Sequence, residues 1–346
     1  MTDRISVAVV GCGFFARNHL HSWKDLAGQG VDLVAVCDID SAKAKAAAEA
    51  FGVPRWYSDA DSMLREEKLG LVDIVTRVET HQSLVERAIA GRVPTIVQKP
   101  FGPDIESCKA MADAAQAAGV FLAVHENFRF QMPMRRIAEL LSSGAIGEPS
   151  WARISFRTGY DIYKGQPYLL REERFVLIDL GVHVLDMARV LLGEVEHLSA
   201  ETQRRNPNVR GEDTATMLLK HRSGAVSAVE CTYEARRAPD VFPETLIEIE
   251  GPNGAILLKP GSIMEVTING AMKMHDVDAP VLDWAERPWH IIQESVLATC
   301  AHLLAALRAG REAGTSARDN VKTFALCEAA YESARSGRAV RLGALR

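Results

Sequence analysis

The stretch that decides the fold is ISVAVVGCGFFA at residues 5–16, where an apolar run leads directly into a glycine-rich turn. The β-branched residues of the run are typical of a central strand that is buried on both faces of a parallel sheet. We predict that Gly11 permits a tight turn and that Gly13 lets the backbone approach a pyrophosphate. The small Ala16 lets the following helix pack on the strand, and the N–H groups at the start of that helix would hold the phosphates.

A second apolar strand, Val31–Cys37, ends at Asp38. A Gly-x-Gly-x-x-Ala turn also occurs at strand–helix junctions that bind nothing, so the turn alone does not predict dinucleotide binding. Asp38 is the second feature that favours it. Its carboxylate can accept both ribose hydroxyls of an adenosine and would repel a 2′-phosphate, and Ile39 and Asp40 add no positive charge. We therefore predict NAD as the cofactor, in preference to NADP. The alternative, that Asp38 only caps the next helix, is weaker because Ser41 can serve as that cap.

Composition narrows the class of protein. The 346 residues suit one large or two medium domains, and the net charge of -5 favours neither nucleic acid nor an anionic membrane as a partner. No apolar stretch reaches membrane-spanning length by inspection, and the polar residues 1–4 are unlike a signal peptide. The six cysteines are scattered without the spacing of metal ligands. These features predict a reduced, cytoplasmic protein with no metal site.

Strand-like and helix-like segments alternate through the first third of the chain, which is typical of a doubly wound, mostly parallel sheet. We predict a Rossmann domain over residues 1–127. The remainder, residues 128–346, contains runs of strands without intervening helices, which predicts an α+β domain with a large, mainly antiparallel open sheet that binds substrate and forms oligomers. Ligands bind at the carboxyl ends of parallel strands. The residues expected at that edge are Gly11–Ala16, Asp38, Thr76, Lys99 and His125–Asn127.

A strongly apolar helix is predicted over about Ile178–Leu192, and a helix that is apolar all round is buried. Asp179, His183 and Asp186 nevertheless lie at i, i+4 and i+7, which places them along one stripe. Burying a carboxylate with an imidazole is costly unless the two are paired or act on a ligand. One interpretation is a structural Asp–His pair. The other is a proton-transfer pair, which Lys99 at the cofactor edge favours because a lysine there can polarise a substrate oxygen.

These motifs together resemble those of the Gfo/Idh/MocA oxidoreductases, which include glucose–fructose oxidoreductase and inositol dehydrogenases. The resemblance spans nearly the whole chain. Its marks are the 11–16 turn, Lys99-Pro100, Asn127-Phe128-Arg129-Phe130, and Asp179-Leu180-Gly181-Val182-His183. The resemblance implies that Lys99, Asp179 and His183 form the catalytic group. It also implies the cofactor-binding residues Gly11, Gly13, Phe14, Phe15, Ala16, Asp38, Thr76, His81 and Lys99.

Two departures from the family pattern stand out. The family usually has Glu-Lys-Pro where this chain has Gln98-Lys99-Pro100, so one negative charge near the lysine is missing. The segment before His81 usually carries prolines, but here residues 76–80 read TRVET. The first departure can change the pKa and the orientation of Lys99, and the second can change the contacts around the cofactor.

The function predicted from the sequence is NAD-dependent oxidation of a hydroxyl of a sugar, sugar acid or cyclic polyol. Two alternatives stay open: a glycosidase that uses NAD for a transient oxidation, and a sensor that binds NAD or sugar without catalysis. A homodimer or homotetramer is expected, because the large sheet has a face to cover. The candidate substrate-binding residues are Glu126, Asn127, Arg129, Tyr160, Tyr163 and Tyr168.

Overall fold

A computed structural model describes residues 4–343, which divide into two compact units. The first unit comprises the chain as far as Asn127 together with Ser295–Lys322. The second comprises Phe128–Glu294 and the chain from Thr323 onward. Each unit is built around one sheet.

The first unit contains a six-stranded sheet in the order β3-β2-β1-β4-β5-β6, and every strand pair in it is parallel. The strand order reverses at β1, which is where doubly wound sheets bind dinucleotides. The predicted Rossmann fold is therefore confirmed. Its strands are β1 (Ile5–Val10), β2 (Val31–Cys37), β3 (Arg55–Tyr57), β4 (Leu71–Ile74), β5 (Thr95–Gln98) and β6 (Leu122–His125).

Helices connect these strands: α1 (Ala16–Asp25), α2 (Ser41–Phe51), α3 (Ala60–Glu66), α4 (His81–Ala90) and α5 (Ile105–Ala118). Aspartates begin three of them, because a carboxylate accepts the free N–H groups of a first turn. Asp40 caps α2 in this way, through Ala42 N–H and Lys43 N–H. The expectation that Ser41 caps this helix was wrong, since Ser41 is its first residue.

The second unit contains a nine-stranded sheet in the order β14-β13-β12-β11-β7-β10-β9-β8-β15, in which only β7 and β10 pair in parallel. This confirms the predicted large, mainly antiparallel sheet. Four strands of the two sheets were not predicted, either because they are short, as β3 and β15 are, or because their side chains do not alternate cleanly, as in β8 and β14. The strands are β7 (Trp151–Arg157), β8 (Val195–Gln203), β9 (Thr214–His221), β10 (Val226–Thr232), β11 (Leu246–Gly251), β12 (Gly254–Lys259), β13 (Ile263–Ile268), β14 (Ala271–Asp276) and β15 (Val340–Arg341).

The remaining helices are α6 (Met132–Ser142), α7 (Ile162–Gly165), α8 (Val182–Leu192), α9 (His290–Arg308) and α10 (Ala317–Ser336). A single regular helix was expected from Ile178. The structure instead has a π-turn over Leu177–Gly181, and the regular α-helix α8 begins only after it. All residues of α8 except Val190 are buried, as its composition predicts. Exposed apolar side chains on the nine-stranded sheet include Leu218, Met272 and Met274. The homodimer or homotetramer stays a prediction.

The structure places residues 295–322 in the first unit, whereas the sequence analysis assigned them to the second domain. Apolar residues of α9, among them Val296, Leu303 and Leu304, share one buried cluster with Val7 and Trp23 of the first unit. This helix is also 19 residues long, with a mean hydropathy of 1.3, so by length and composition alone it could span a membrane. It is mostly buried in the protein, however, and a core helix has the same composition.

We expect Leu303→Ala to destabilise the protein, because Leu303 is fully buried in this cluster. Truncating a buried leucine costs about 2–5 kcal/mol of the free energy of unfolding. Equilibrium urea unfolding measures the loss. Leu307→Ala is the matched control, since Leu307 packs on the same cluster but is only partly buried. Equal losses for the two variants would contradict the placement of α9 in this core.

Candidate active site

The glycine-rich turn follows β1 and leads into α1. Gly11 has φ of +99°, and a Cβ built on it would lie 2.3 Å from Val75 O, so only glycine fits there. A Cβ on Gly13 would meet no atom of the described residues within 4 Å, so the backbone there faces open space. No side chain of the described part caps α1, which starts at the buried Ala16 after Phe15. Free helix N–H groups beside an open glycine suit a pyrophosphate.

Asp38 lies directly after β2, next to this turn. Its Oδ2 accepts the Cys12 N–H at 2.8 Å, and its Oδ1 accepts the Asp40 N–H at 2.9 Å. The carboxylate is thus fixed in place by two backbone groups, one of them inside the glycine-rich turn. The α2 cap is Asp40, so the alternative role considered for Asp38 does not apply. A fixed carboxylate at this strand end is what recognition of a ribose requires.

His81 links two loops at the carboxyl edge of the sheet. Its Nε2 lies 3.2 Å from Thr76 O, and its Nδ1 lies 3.1 Å from Pro100 O and 3.3 Å from Phe101 O. Burial lowers the pKa of His81. The Thr76 hydroxyl accepts a hydrogen bond from the Thr80 hydroxyl at 2.8 Å. His81 therefore contacts both the Thr76 segment and the segment after Lys99, and its neutral ring can donate its one N–H to either of them.

Lys99 follows β5 directly, and its backbone N–H donates to the side-chain Oε1 of Gln98 at 2.7 Å. Glu126 and Asn127 follow the neighbouring strand β6, and both are buried. The Asn127 amide donates to the Ser295 hydroxyl at 2.7 Å, within the same unit. The first unit therefore presents the predicted lysine at the same sheet edge as the glycine-rich turn.

Asp179 lies in the π-turn of the second unit, a feature that is frequent at functional sites. Its Oδ2 accepts a hydrogen bond of 2.7 Å from the hydroxyl of Tyr233. Burial, with the neighbouring Asp179 charge, raises the pKa of Tyr233 well above its usual value, so the phenol stays protonated and donates. Glu212 fixes the start of the turn, since its Oε1 accepts the N–H groups of Phe175 and Leu177, each at 3.1 Å.

His183 lies in the first turn of α8, where it is buried. The ring of Phe128 stacks on the imidazole with centroids 3.8 Å apart and an angle of 6° between the planes. A flat aromatic contact of this kind restricts the plane of the imidazole. Phe128 belongs to the 127–130 motif, so the resemblance pointed to the segment but not to this contact.

Arg129 and Asp186 pair with each other in the second unit. Arg129 Nε donates to Asp186 Oδ2 at 2.6 Å, and a second guanidinium nitrogen contacts Oδ1. The hydroxyl of Thr323 donates to the same Oδ1 at 2.7 Å. The carboxylate expected on the stripe with Asp179 and His183 thus holds an arginine and ties α8 to α10.

The three candidate tyrosines occupy different surroundings. Tyr160 stacks on Phe242 at 4.0 Å and is 37% exposed. Tyr168 is 41% exposed, and its hydroxyl donates to Gln166 at 2.6 Å. Tyr163 is linked through the ring of Phe175 to Tyr233, and burial raises its pKa.

Sequence reasoning missed Tyr233, Glu212 and the role of Phe128. Tyr233 is the residue after β10 and reaches Asp179 across 54 positions of the chain. Glu212 lies in a loop and reaches 35 and 37 positions back to the π-turn. Neither has a local sequence signal, because each contact forms only when distant segments pack together.

The sheet order, the glycine-rich turn and the fixed carboxylate after β2 define the first unit as a dinucleotide-binding domain of the Rossmann type. Comparison with known proteins agrees. Residues 5–126 match the family model described as "Oxidoreductase family, NAD-binding Rossmann fold", and residues 134–257 match "GFO/IDH/MocA C-terminal domain".

Full-length relatives are also found. The chain is 49% identical over 338 residues to a D-apiose dehydrogenase of Rhizobium rhizogenes, covering 98% of this chain and 97% of the relative. It is 47% identical to a D-apiose dehydrogenase of Paraburkholderia graminis, covering 99% and 91%. An oxidoreductase from Agrobacterium radiobacter, solved in complex with NAD+, L-tartaric acid and magnesium, superposes with a TM-score of 0.97 at 48% identity, covering 99% of this chain and 100% of that one.

The chain belongs to the GFO/IDH/MocA family of NAD-binding oxidoreductases. The predicted family, fold class, cofactor and class of enzyme are thereby confirmed. The roles of the individual site residues stay predictions.

We expect Asp38→Asn to weaken NAD binding about tenfold, because hydrogen bonds to a charged acceptor are worth about 1.5–3 kcal/mol. We also expect it to reduce the ratio of the affinity for NAD to that for NADP, because the negative charge that would repel a 2′-phosphate is lost. The amide oxygen can still accept one backbone N–H, which limits damage to the turn. Titration calorimetry with each dinucleotide measures both affinities. Asp40→Asn is the matched control, since asparagine still caps α2. An equal loss in the two variants would count against a ribose contact by Asp38.

Proposed function

We propose that the chain oxidises a hydroxyl of a sugar with NAD, and that D-apiose is the first substrate to test. The observation that carries this proposal is that Asp179 and His183, four residues apart in the chain, are each held by a neighbour, Asp179 by the Tyr233 hydroxyl and His183 by the stacked ring of Phe128. A carboxylate and an imidazole held rigidly at the start of a buried helix suit proton transfer. The two relatives named D-apiose dehydrogenase support the substrate. The tartaric acid bound to the A. radiobacter protein, a hydroxy acid, is compatible with a polyhydroxylated ligand.

In the proposed reaction, the 11–16 turn and Asp38 hold the cofactor, which supplies a hydride acceptor when bound. His183 accepts the proton of the substrate hydroxyl. Asp179 orients the imidazole and offsets the positive charge that it gains. Lys99 stabilises the negative charge that develops on the substrate oxygen.

Substrate recognition is proposed to involve the polar groups predicted from the sequence. Tyr160 and Tyr168 are the exposed tyrosines among them, and their hydroxyls suit contacts with sugar hydroxyls. Tyr163 and Arg129 are engaged with Glu234 and Asp186 of their own unit, so we assign them to shaping the site. Glu126 and Asn127 are proposed to bind substrate from the end of β6.

A panel of sugars, sugar acids and polyols, assayed with NAD by absorbance of NADH, tests the reaction class. Stoichiometric NADH with D-apiose or another sugar supports the dehydrogenase. Cleavage of a glycoside without net NADH would show the glycosidase alternative. Binding of NAD and a sugar with neither reaction would show a sensor.

We expect Lys99→Met and His183→Asn each to lower kcat by about 10²–10⁴-fold, the range for loss of a positioned acid–base group. NAD affinity should change little, because the proposed contacts are to the substrate oxygen. Steady-state kinetics and NAD titration measure the two effects separately. Lys45→Met and His275→Asn, at exposed positions, are the controls. Parallel loss of NAD affinity and turnover would contradict these roles.

We expect Tyr233→Phe to lower kcat about tenfold, because Asp179 loses the hydroxyl that fixes it. Tyr57→Phe is a close control, since the Tyr57 hydroxyl donates to the Glu67 carboxylate at the same distance of 2.7 Å but at the β3 edge of the first sheet. Circular dichroism melting checks that both variants fold. Equal kcat values for Tyr233→Phe and the wild type would exclude a role of this hydrogen bond in turnover.

A further inference from the structure

A chain of hydrogen bonds runs beneath Lys99 through the interior of the first unit. The Lys99 N–H donates to Gln98 Oε1 at 2.7 Å, and Gln98 Nε2 lies 3.0 Å from His19 Nε2. His19 Nδ1 lies 2.7 Å from Asp73 Oδ2, which also accepts the indole N–H of Trp23 at 2.7 Å. His19 and Asp73 are fully buried, and Gln98 is nearly so.

The donors and acceptors of this chain determine the protonation of His19. A backbone N–H can only donate, so the Gln98 oxygen must face Lys99 and the Gln98 amide nitrogen must face His19. His19 Nε2 therefore accepts a hydrogen bond and carries no proton. The single ring proton lies on Nδ1 and is donated to Asp73. A second proton on His19 would place two N–H donors against each other.

Besides Asp73, other elements bring two titratable groups close to His19, and burial keeps both of them uncharged at neutral pH. On β6, His125 lies with its ring centroid 4.2 Å from that of His19, and burial lowers the pKa of His125 to about 3. On α9, Cys300 Sγ lies 3.7 Å from His125 Nε2, and burial raises the pKa of its thiol well above the usual value. Asp73 itself accepts two hydrogen bonds on Oδ2, one from His19 and one from Trp23.

One ligand atom from each of His19, His125 and Cys300 lies within 4.8 Å of the other two, a spacing that could hold a metal ion. Both ring nitrogens of His19 already take part in hydrogen bonds, one to Gln98 and one to Asp73. A cation there would have to displace the Gln98 amide. The hydrogen-bonded chain therefore accounts for the cluster better than a metal site does.

We propose that Gln98 is a positioning residue that fixes the Lys99 backbone to a His19 ring whose single proton is donated to Asp73. This inference rests on the proposed function, in which Lys99 contacts the substrate. It gives a physical meaning to the departure from Glu-Lys-Pro. A glutamate at 98 would offer acceptors to both neighbours and would draw a second proton onto His19, between two carboxylates. Glutamine instead holds Lys99 through a network that needs only one proton on the His19 ring.

Nitrogen-15 spectra of the histidine rings in the full-length protein test the network directly. The His19 signals are assigned by their loss in His19→Gln. We expect the wild type to show a proton on Nδ1 alone at neutral pH, and Gln98→Glu to show protons on both nitrogens. A protonated Nε2 in the wild type would overturn the proposal, and so would a metal ion found at the cluster by elemental analysis of the purified protein.

Kinetics test the positioning role. We expect Gln98→Met, which has similar size but no hydrogen bonds, to lower kcat about tenfold while KM for NAD stays within about twofold. Gln98→Glu keeps an acceptor for the Lys99 N–H, so it should retain more turnover and add one ionisation to the pH profile of kcat. Gln116→Met, at an exposed position of α5, is the control for the substitution itself.

A double variant shows whether Gln98 acts through Lys99. In the Lys99→Met background, Gln98→Met should cause no further loss, because residues that act as a unit are not additive. A further tenfold loss there, or unchanged kcat in Gln98→Met alone, would overturn the positioning role. If the wild type oxidises no sugar, the proposed function fails and the positioning role with it. The histidine spectra still decide in that case whether the network with one proton on His19 exists.

Discussion

The first unit depends on one buried charge, the carboxylate of Asp73 on the central strand β4. A fully buried carboxylate needs hydrogen bonds, and here Trp23 and His19 both donate to Oδ2, while Oδ1 has no hydrogen-bond partner among the described residues. Both donors belong to α1, so the pair ties that helix to the sheet at a defined height. The start of α1 is the glycine-rich turn, and the next bond in the chain reaches Gln98 beside Lys99. A single polar constraint therefore places the cofactor turn and the lysine on one rigid frame.

The second unit also buries charged side chains, and other residues supply their hydrogen bonds. Its helix α8 is apolar on nearly every side, yet it buries Asp186 and Arg189, and Asp179 and His183 lie at its start. Asp186 is satisfied by Arg129 and Thr323, and the Arg189 guanidinium donates to the Thr323 hydroxyl at 2.7 Å. Glu212 satisfies the backbone at the π-turn and also accepts the Tyr331 hydroxyl at 2.6 Å. Since these bonds are buried or partly buried, water competes little for them, and the bonds from Glu212 hold the turn that carries Asp179.

The sequence predicts features whose cause is local. Gly11 needs a positive φ, β1 is apolar apart from Ser6, and α10 has a clear helical composition, so these were predictable from their own segments. The sequence does not predict features that arise from distant partners. The π-turn shifts the phase between Asp179 and His183 by adding a residue to one turn, and its support comes from Glu212. The packing of α9 in the first unit depends on apolar residues that would suit the core of either unit. The sequence around Asp179 gives no indication that Tyr233 will contact it.

The residues that support the candidate site are thus buried in the cores of the two units. Gln98, His19 and Asp73 lie in one core, and Phe128 and Tyr233 lie in the other. Tyr160 and Tyr168, in contrast, are partly exposed. Buried supports that hold a reactive group to within a fraction of an ångström make catalysis robust to changes in exposed residues. A family built in this way can keep one reaction while its exposed residues select among hydroxylated substrates.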